Sequence, residues 1–377
     1  MTEWRECKLK DVCKYERISI NPQKYKILQF VHYSFPAFDN NKTPEIQFGE
    51  QIKSSKYIVK KGYILYNKLN VRFKRIWNIN FETPENSICS SEFLPILATK
   101  CNQDYLYYFL CSDELTDTMA NSNTGTSGSH QRIDPNFLMK YDILLPPLPE
   151  QKAIAEVLSS LDDKIDLLTR QNKTLEDLAQ AYFRKWFIED IHNKICYKRF
   201  ADVAEFSKGK KPREIIEEQR KGYVRQILID TFDTDKEYYT RPEGMIISTE
   251  TDILMVMDGA SSGRVEIGFS GVVGSTIGMF RPKSDFKYPM FLYEFLKSNE
   301  EFIMDNTTGS AIPHADKKLI FELEIPYFQE EKIQEFENFA LVLFNKRQNN
   351  RRQIRTLTKL RDTLLPKLIS GEIRVKM

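Results

Sequence analysis

The feature that most limits what this chain folds into is an internal duplication, the kind of pattern that decides an architecture before any local reading does. The segment Tyr105-Leu106-Tyr107-Tyr108-Phe109-Leu110-Cys111-Ser112 has a second copy in Phe291-Leu292-Tyr293-Glu294-Phe295-Leu296-Lys297-Ser298. Each copy leads through a methionine into a small polar loop bearing glycine, Asn123-Thr124-Gly125-Thr126-Ser127-Gly128-Ser129 and Asn306-Thr307-Thr308-Gly309-Ser310. An apolar strand ending in proline follows each loop, Ile143-Leu144-Leu145-Pro146 and Leu323-Glu324-Ile325-Pro326. Weaker parallels precede them in the same order: Lys10-Asp11-Val12 with Ala201-Asp202-Val203, Gly62-Tyr63-Ile64-Leu65 with Thr251-Asp252-Ile253-Leu254, and Cys89-Ser90-Ser91 with Gly274-Ser275-Thr276. A kept order with a slowly drifting offset is what duplication with small insertions and deletions produces.

After each copy comes a long helical pattern. In the first, Ile154, Leu158, Leu161, Ile165, Leu168, Asn172, Leu175, Ala179, Tyr182 and Trp186 recur at alternating spacings of four and three, a heptad seam. In the second, Ile333, Phe336, Ala340, Leu343, Arg347, Asn350, Ile354, Leu357, Arg361, Leu364 and Leu368 do the same. Its middle is weaker, where Arg347 and Asn350 fall, and Asn172 and Asn350 are candidates for polar residues that set register. Each helix of ~38–40 residues spans roughly 55–60 Å at the helical rise. At about 150 residues per domain, 377 residues hold two heads and their connectors. The expected layout is a first head over 1–148, a long helix over 149–190, a second head over 191–328, and a C-terminal helix and tail over 329–377. If a pseudo-two-fold relates the halves, the helices run antiparallel. The plainer alternative is two amphipathic helices, each packed on its own domain.

Charge and motifs narrow the chemistry. Lys and Arg total 55 against 53 Asp and Glu, a net charge of +2, so a nucleic-acid surface has to come from distribution rather than from the sum. From Asn345 to Met377 the sequence has ten Lys/Arg and two acidic residues. Such a run is a solvated face, a phosphate track or a docking surface. The six cysteines include no Cys-x-x-Cys pair, and the four histidines make no ligand pair at helical spacing, so zinc and thioredoxin-type sites are not expected. No Walker-type loop is present; Gly259-Ala260-Ser261-Ser262-Gly263-Arg264 has the wrong spacing. Asp134-Pro135-Asn136-Phe137 resembles the Asn/Asp-Pro-Pro-aromatic loop of amino-methyltransferases but lacks its second proline, and a turn before a strand is the expectation. Acid-x-Lys fragments at Asp162-Asp163-Lys164 and Glu330-Glu331-Lys332 fall on the long helices and are expected to make helix-surface ion pairs. No apolar stretch approaches the ~18–20 residues of a membrane span, and no export signal is visible, so a cytoplasmic location without membrane attachment is expected.

With catalytic motifs missing, recognition remains. Small polar loops approach DNA closely and bond phosphates or base edges; they are also ordinary turn composition. The candidates in the first head are Lys53, Lys56, Lys68, Asn70, Arg72 and Lys74, with Thr124, Thr126, Ser127 and Ser129 of its loop. In the second they are Lys208, Lys210, Lys211, Arg213, Ser261, Ser262 and Arg264, with Thr307, Thr308 and Ser310. Clustered Lys/Arg among small polar residues is an electrostatic footprint for nucleic acid, and equally the surface of many soluble proteins.

Two segments then carry a family resemblance. Leu145-Pro146-Pro147-Leu148-Pro149-Glu150-Gln151-Lys152-Ala153-Ile154-Ala155 resembles the central conserved segment of type I restriction–modification specificity (S) subunits. Leu364-Leu365-Pro366-Lys367-Leu368-Ile369-Ser370-Gly371-Glu372-Ile373-Arg374-Val375 resembles their C-terminal signature. Asp252-Ile253-Leu254 through Asp258-Gly259-Ala260, Gly263-Arg264 and Gly274-Ser275-Thr276 is similar to their second recognition domain. The resemblance covers essentially the whole chain. At the second helix start the sequence departs, with Pro326-Tyr327-Phe328-Gln329-Glu330-Glu331 where the first has Pro146-Pro147-Leu148-Pro149-Glu150-Gln151.

The resemblance implies an α+β chain in which two globular α/β-containing target recognition domains are joined by two long antiparallel coiled-coil helices. Each domain reads one half of a bipartite, asymmetric site on double-stranded DNA, and the coiled coil sets the gap. It implies no catalysis in this chain. Two methyltransferase (M) subunits bring S-adenosylmethionine, and two restriction (R) subunits bring ATP- and Mg2+-dependent chemistry. The alternative from a different class is a coiled-coil adaptor whose heads bind protein.

Overall fold

The computed structural model describes residues 3–40, 42–122, 132–189, 196–234, 236–309, 312–327 and 329–375. The chain divides into two compact units, Met1–Ile165 with Thr356–Met377, and Asp166–Arg355. The long helices are therefore not separate bodies: each contributes one part to one unit and the rest to the other.

In the first unit, strands Cys13–Tyr15, Phe93–Ala98, Tyr63–Asn67 and Ile76–Asn78 form an antiparallel sheet in that order. A five-stranded sheet runs Ser19–Ile20, Lys56–Ile58, Ser87–Cys89, Gln29–Tyr33, Glu45–Phe48, with one parallel pair, Gln29–Tyr33 on Ser87–Cys89. A two-stranded ribbon pairs Arg5–Lys8 with Asp142–Leu145. Helices Gln103–Leu110, Asp113–Asn121 and Pro135–Met139 cover the core.

The second unit repeats this plan. Ala204–Lys208, Ile277–Pro282, Ile253–Val256 and Val265–Ile267 form the matching antiparallel sheet. The second sheet again holds one parallel pair, Val224–Ile227 on Gly271–Val273. Cys196–Arg199 pairs with Glu324–Tyr327 as the ribbon. Helices Pro289–Ser298, Glu300–Asp305 and Lys317–Glu322 follow. The weak sequence parallels have structural causes. Asp11 accepts the Lys8 N–H at 2.9 Å and Asp202 the Arg199 N–H at 3.1 Å, so each caps the short helical turn entering its head. Cys89 ends the strand of one parallel pair, and Gly274 directly follows the strand of the other, so the two lie one residue apart in the fold. Asp134 caps the helix that begins with Pro135, as Asp316 caps its counterpart, which explains the Asp-Pro sequence without base chemistry.

The first long helix spans Leu148–Arg184 and the second Glu330–Ser370. Pro149 sits in the first turn, where its missing N–H costs nothing, and Pro366 lies in the last turns. Within each unit the two run antiparallel. In the first unit Arg361 donates to Asp162 at 2.8 Å. In the second, Asn350 meets Asn172, Arg347 meets Glu176 and Tyr182 meets Phe339, one numbering rising as the other falls.

The heptad seam holds for Ile154, Leu158, Leu168, Ile333 and Phe336, which are buried, and for Leu161, Ile165, Leu175, Leu343, Ile354, Leu357 and Leu364, which are half-buried. Two expectations change. Toward the end of the first helix the buried positions are Phe183 and Phe187 rather than Tyr182, which is 38% exposed. The shift starts at Phe183, ahead of a turn of π-helix at Lys185–Glu189, and Phe183, Phe187, Phe291 and Phe336 pack with ring centroids 4.9–6.3 Å apart. The middle of the second seam is not weak but polar and paired: Arg347 and Asn350 are buried, Arg347 lies 3.4 Å from Glu176, and the Asn350 amide donates to Asn172 at 3.0 Å and to Gln171 at 2.8 Å.

Part of the basic C-terminal run is held internally, while Lys346, Arg355 and Lys359 stay exposed. Arg351 donates to the Ile267 carbonyl, Arg352 pairs with Glu250, Arg361 with Asp162 and Asp362, and Arg374 with Glu150. Asp162 accepts from Tyr108 as well, at 2.8 Å, so it holds its head to the helix rather than making a helix-surface pair.

Candidate nucleic-acid interface

Each head presents the end of its central strand, the turn after it, and the segment that returns beside that turn. In the first head Tyr63–Asn67 ends in fully buried Asn67, whose amide donates to the Leu69 carbonyl at 3.2 Å and the Asn70 carbonyl at 3.3 Å. These bonds hold Asn70 in the left-handed region, φ 51°, a conformation asparagine tolerates better than most residues. Leu69 bridges Arg132, and Arg132 donates to both oxygens of Glu92, at 3.1 and 2.7 Å.

In the second head Ile253–Val256 runs into Asp258 and the turn Gly259–Gly263. Gly259 and Gly263 have φ of 111° and 100°, and a Cβ on Gly263 would lie 2.9 Å from Met304, so glycine is required there. Asp258 bridges His314, and its carboxylate lies 2.8 Å from the His314 Nδ1 and 2.6 Å from the Lys208 Nζ. Burial works against its charge, but hydrogen bonds from Lys208 and His314 hold its carboxyl below the usual range. Thr308 and His314 exchange two backbone hydrogen bonds, which closes the returning segment.

The sequence candidates sort by what their polar ends do. Lys56 is buried and turns its ammonium onto Ser54, at 2.6 Å from the hydroxyl. Ser262 is buried and donates to the Gly259 and Pro313 carbonyls, fastening the turn. Arg264 is gripped by Asp233 and Glu266 and stacks over Phe232. These three are committed inside the head and offer no free group to a phosphate. Lys74 pairs with Asp113, Lys208 with Asp258, and Lys210 donates to the Gly244 carbonyl. Lys68 is half-buried over Tyr57, and burial lowers its pKa with Arg17 nearby. Asn70, Ser261 and Thr307 are half-buried and Thr308 is exposed. Lys53, Arg72, Lys211 and Arg213 are exposed and enter no ion pair among the described residues. Thr124, Thr126, Ser127, Ser129 and Ser310 lie outside the described residues. Arg132, Glu92, Asp258 and His314 are the tip residues that sequence reasoning passed over. The signal was there: Arg132 and His314 each stand two residues before the capping aspartate of the repeat.

Among the described residues, no group of three or more His, Cys, Asp or Glu is placed to hold a metal ion, and no helix is long and apolar enough to cross a membrane.

These features have known relatives. The chain is 27% identical over 305 residues to the type I restriction enzyme MjaIX specificity subunit of Methanocaldococcus jannaschii, covering 72% of this chain and 69% of that one. It is 23% identical to the type I restriction enzyme HindI specificity subunit of Haemophilus influenzae, over 99% of this chain and 100% of that one. Its fold is similar to the crystal structure of the type I restriction-modification system S subunit from M. genitalium, with a TM-score of 0.65 at 17% identity, covering 97% and 96% of the two chains. The sequence model of the type I restriction modification DNA specificity domain matches residues 1–177 and again 193–350. With one such match for each copy of the duplicated fold, the chain belongs to the type I restriction–modification DNA specificity family.

Proposed function

We propose that this chain is the DNA sequence-specificity subunit of a type I restriction–modification complex. Each head reads one half of a bipartite, asymmetric site, and the paired helices set the gap and dock the partner subunits. The observation that carries this reading is the double match to the DNA specificity domain, one to each head. Lys53, Arg72, Lys211 and Arg213 supply free cations for phosphate contacts, which position without reading sequence.

Catalysis belongs to the partners in this reading. Two methyltransferase subunits bring S-adenosylmethionine, and two restriction subunits bring ATP- and Mg2+-dependent work. The complex acts in the cytoplasm, where its DNA is.

Methylome sequencing of a host expressing this chain with its methyltransferase partner tests the reading. A single gapped, asymmetric motif is the expected outcome. A symmetric motif means one head used twice, and no motif from a verified complex favours an adaptor with protein-binding heads. Lengthening both helices by one heptad, about 10 Å, changes the preferred gap if the helices are the spacer; an unchanged gap refutes that role.

A further inference from the structure

The duplication places one exposed polar side chain of each head at the same point of the fold. Two residues past the central strand, Leu69 bridges Arg132 in the first head and Asp258 bridges His314 in the second. The surroundings correspond bond for bond. Lys68 donates to the Glu92 carbonyl and accepts from Ile133; Met257 donates to the Thr276 carbonyl and accepts from Ala315. The residues that follow the bridges, Asn70 and Gly259, share a positive φ. Two residues beyond Arg132 and His314, Asp134 and Asp316 cap matching helices.

Both side chains are open to solvent, at 64% and 48% exposure, and both are held by a carboxylate of their own head. Exposed ion pairs add little to stability, so stability gives no reason for both copies to fix a side chain here. Fixing does orient the atoms left over. Glu92 takes Nε and one N–H of Nη2 from Arg132, which leaves Nη1 and the second Nη2 hydrogen without a partner among the described residues. The Asp258 carboxylate can only accept from Nδ1 of His314, and in the tautomer with its proton on Nδ1 the other ring nitrogen, Nε2, is an acceptor. A forked pair of guanidinium N–H groups fits the O6 and N7 of guanine, and an imidazole acceptor fits the exocyclic amino group of adenine or cytosine.

We propose that Arg132 and His314 are the equivalent specificity-determining residues of the two heads, Arg132 reading guanine in one half-site and His314 an amino-bearing base in the other. Glu92 and Asp258 are their positioning residues. The difference between the two side chains at one shared position gives the two halves different readers. This rests on the two-headed reading above and adds the residues.

The test uses the full chain assembled with its methyltransferase partner, with methylome sequencing and binding to duplexes altered at single bases. Arg132→Gln relaxes a guanine position in one half, with about 5- to 150-fold lost discrimination, and leaves the other half intact. His314→Ala relaxes one position in the opposite half. Glu92→Gln weakens the Arg132-dependent position more mildly, which a purely structural Arg132 would not produce. Should Arg132→Gln fail to assemble, Arg132→Lys keeps the charge and loses the fork, and the same position relaxes. Unchanged fidelity in assembled variants, or an equal loss across both halves, overturns the proposal. A wild-type complex that yields no gapped motif overturns the two-headed reading instead.

Discussion

Arg374, three residues from the C-terminus, donates to both carboxylate oxygens of Glu150 at the start of the first long helix. The two segments that resemble the family most closely are thus joined in space. Trp4 completes the joint: its indole N–H donates to Glu150 at 3.1 Å, its ring lies under the Arg374 guanidinium at 5.3 Å, and Gly371 packs so close that a Cβ would meet the ring at 3.1 Å. Glu150 is 1% exposed, and these donors satisfy both oxygens of its buried carboxyl.

Glu150→Ala leaves the Trp4 donor and a guanidinium without an acceptor. The expected cost is about 1–3 kcal/mol, seen as a lower denaturant midpoint. Glu330→Ala, which removes only the 2.9 Å acceptor of Tyr288, costs less. Equal losses contradict the joint's role.

The Asn350–Asn172 bond predicts a non-additive pair. Asn350→Leu alone strands the Asn172 amide beside an apolar neighbour and destabilises by ~1–2 kcal/mol. Asn172→Leu with Asn350→Leu recovers most of the loss, while alternative helix pairings become competitive because no polar pair penalises them. A double-mutant cycle measures the coupling; additive losses rule it out.

Stability falls as pH rises toward 8. Burial pushes the Glu294 carboxyl up to about 8, with Arg347 opposing and Glu176 reinforcing the shift, and burial pushes Glu337 up to about 7 against the N–H groups of Phe291 and Met290. An unfolded glutamate titrates near 4.3, so folding keeps a proton that the unfolded chain releases. The contribution is full below about pH 4.3 and is lost as pH climbs through 7 to 8. Glu294→Gln flattens the curve between pH 5 and 8; an unaltered slope refutes the assignment.

DNA binding separates the free cations from the committed ones. The log of the binding constant falls with log salt by roughly 0.9 per neutralised phosphate. Lys211→Gln and Arg213→Gln each reduce that slope by about one, and Lys56→Gln leaves it unchanged because its ammonium is turned to Ser54. A slope change for Lys56→Gln, with none for the other two, reverses the assignment.

The duplication, the long helices and most seam positions were legible in the sequence because periodicity is a direct consequence of burial. Seam polarity was legible as a weak middle and as a register-setting role for Asn172 and Asn350, but not as a buried ion pair. That Arg347 and Asn350 are buried depends on Glu176, Gln171 and Asn172, more than 170 residues away in sequence, which no local pattern encodes. The same holds for Arg352, Arg361 and Arg374 of the basic tail, which look like free charges until Glu250, Asp162 and Glu150 are seen beside them. Residue type alone did not show which cations have a private partner, as Arg264 has in Asp233 and Glu266. Arg132 and His314 escaped because a repeat aligned on apolar segments has no reason to match arginine with histidine; only the bridge and the capping aspartates make them equivalent.

The division of the chain also fixes an order in time. The first unit is built from residues up to Ile165 and from Thr356 onward, with all of the second unit spelled between them. A ribosome releases the amino terminus first, so Trp4 and Glu150 emerge well before Arg374 exists to bind them. The unit begun first is the one finished last. A chain stalled before Arg374 carries all residues of the second unit and a first unit that lacks this joint. Closure of the first unit therefore waits for the segment that starts at Thr356, after every residue of the second unit has been made.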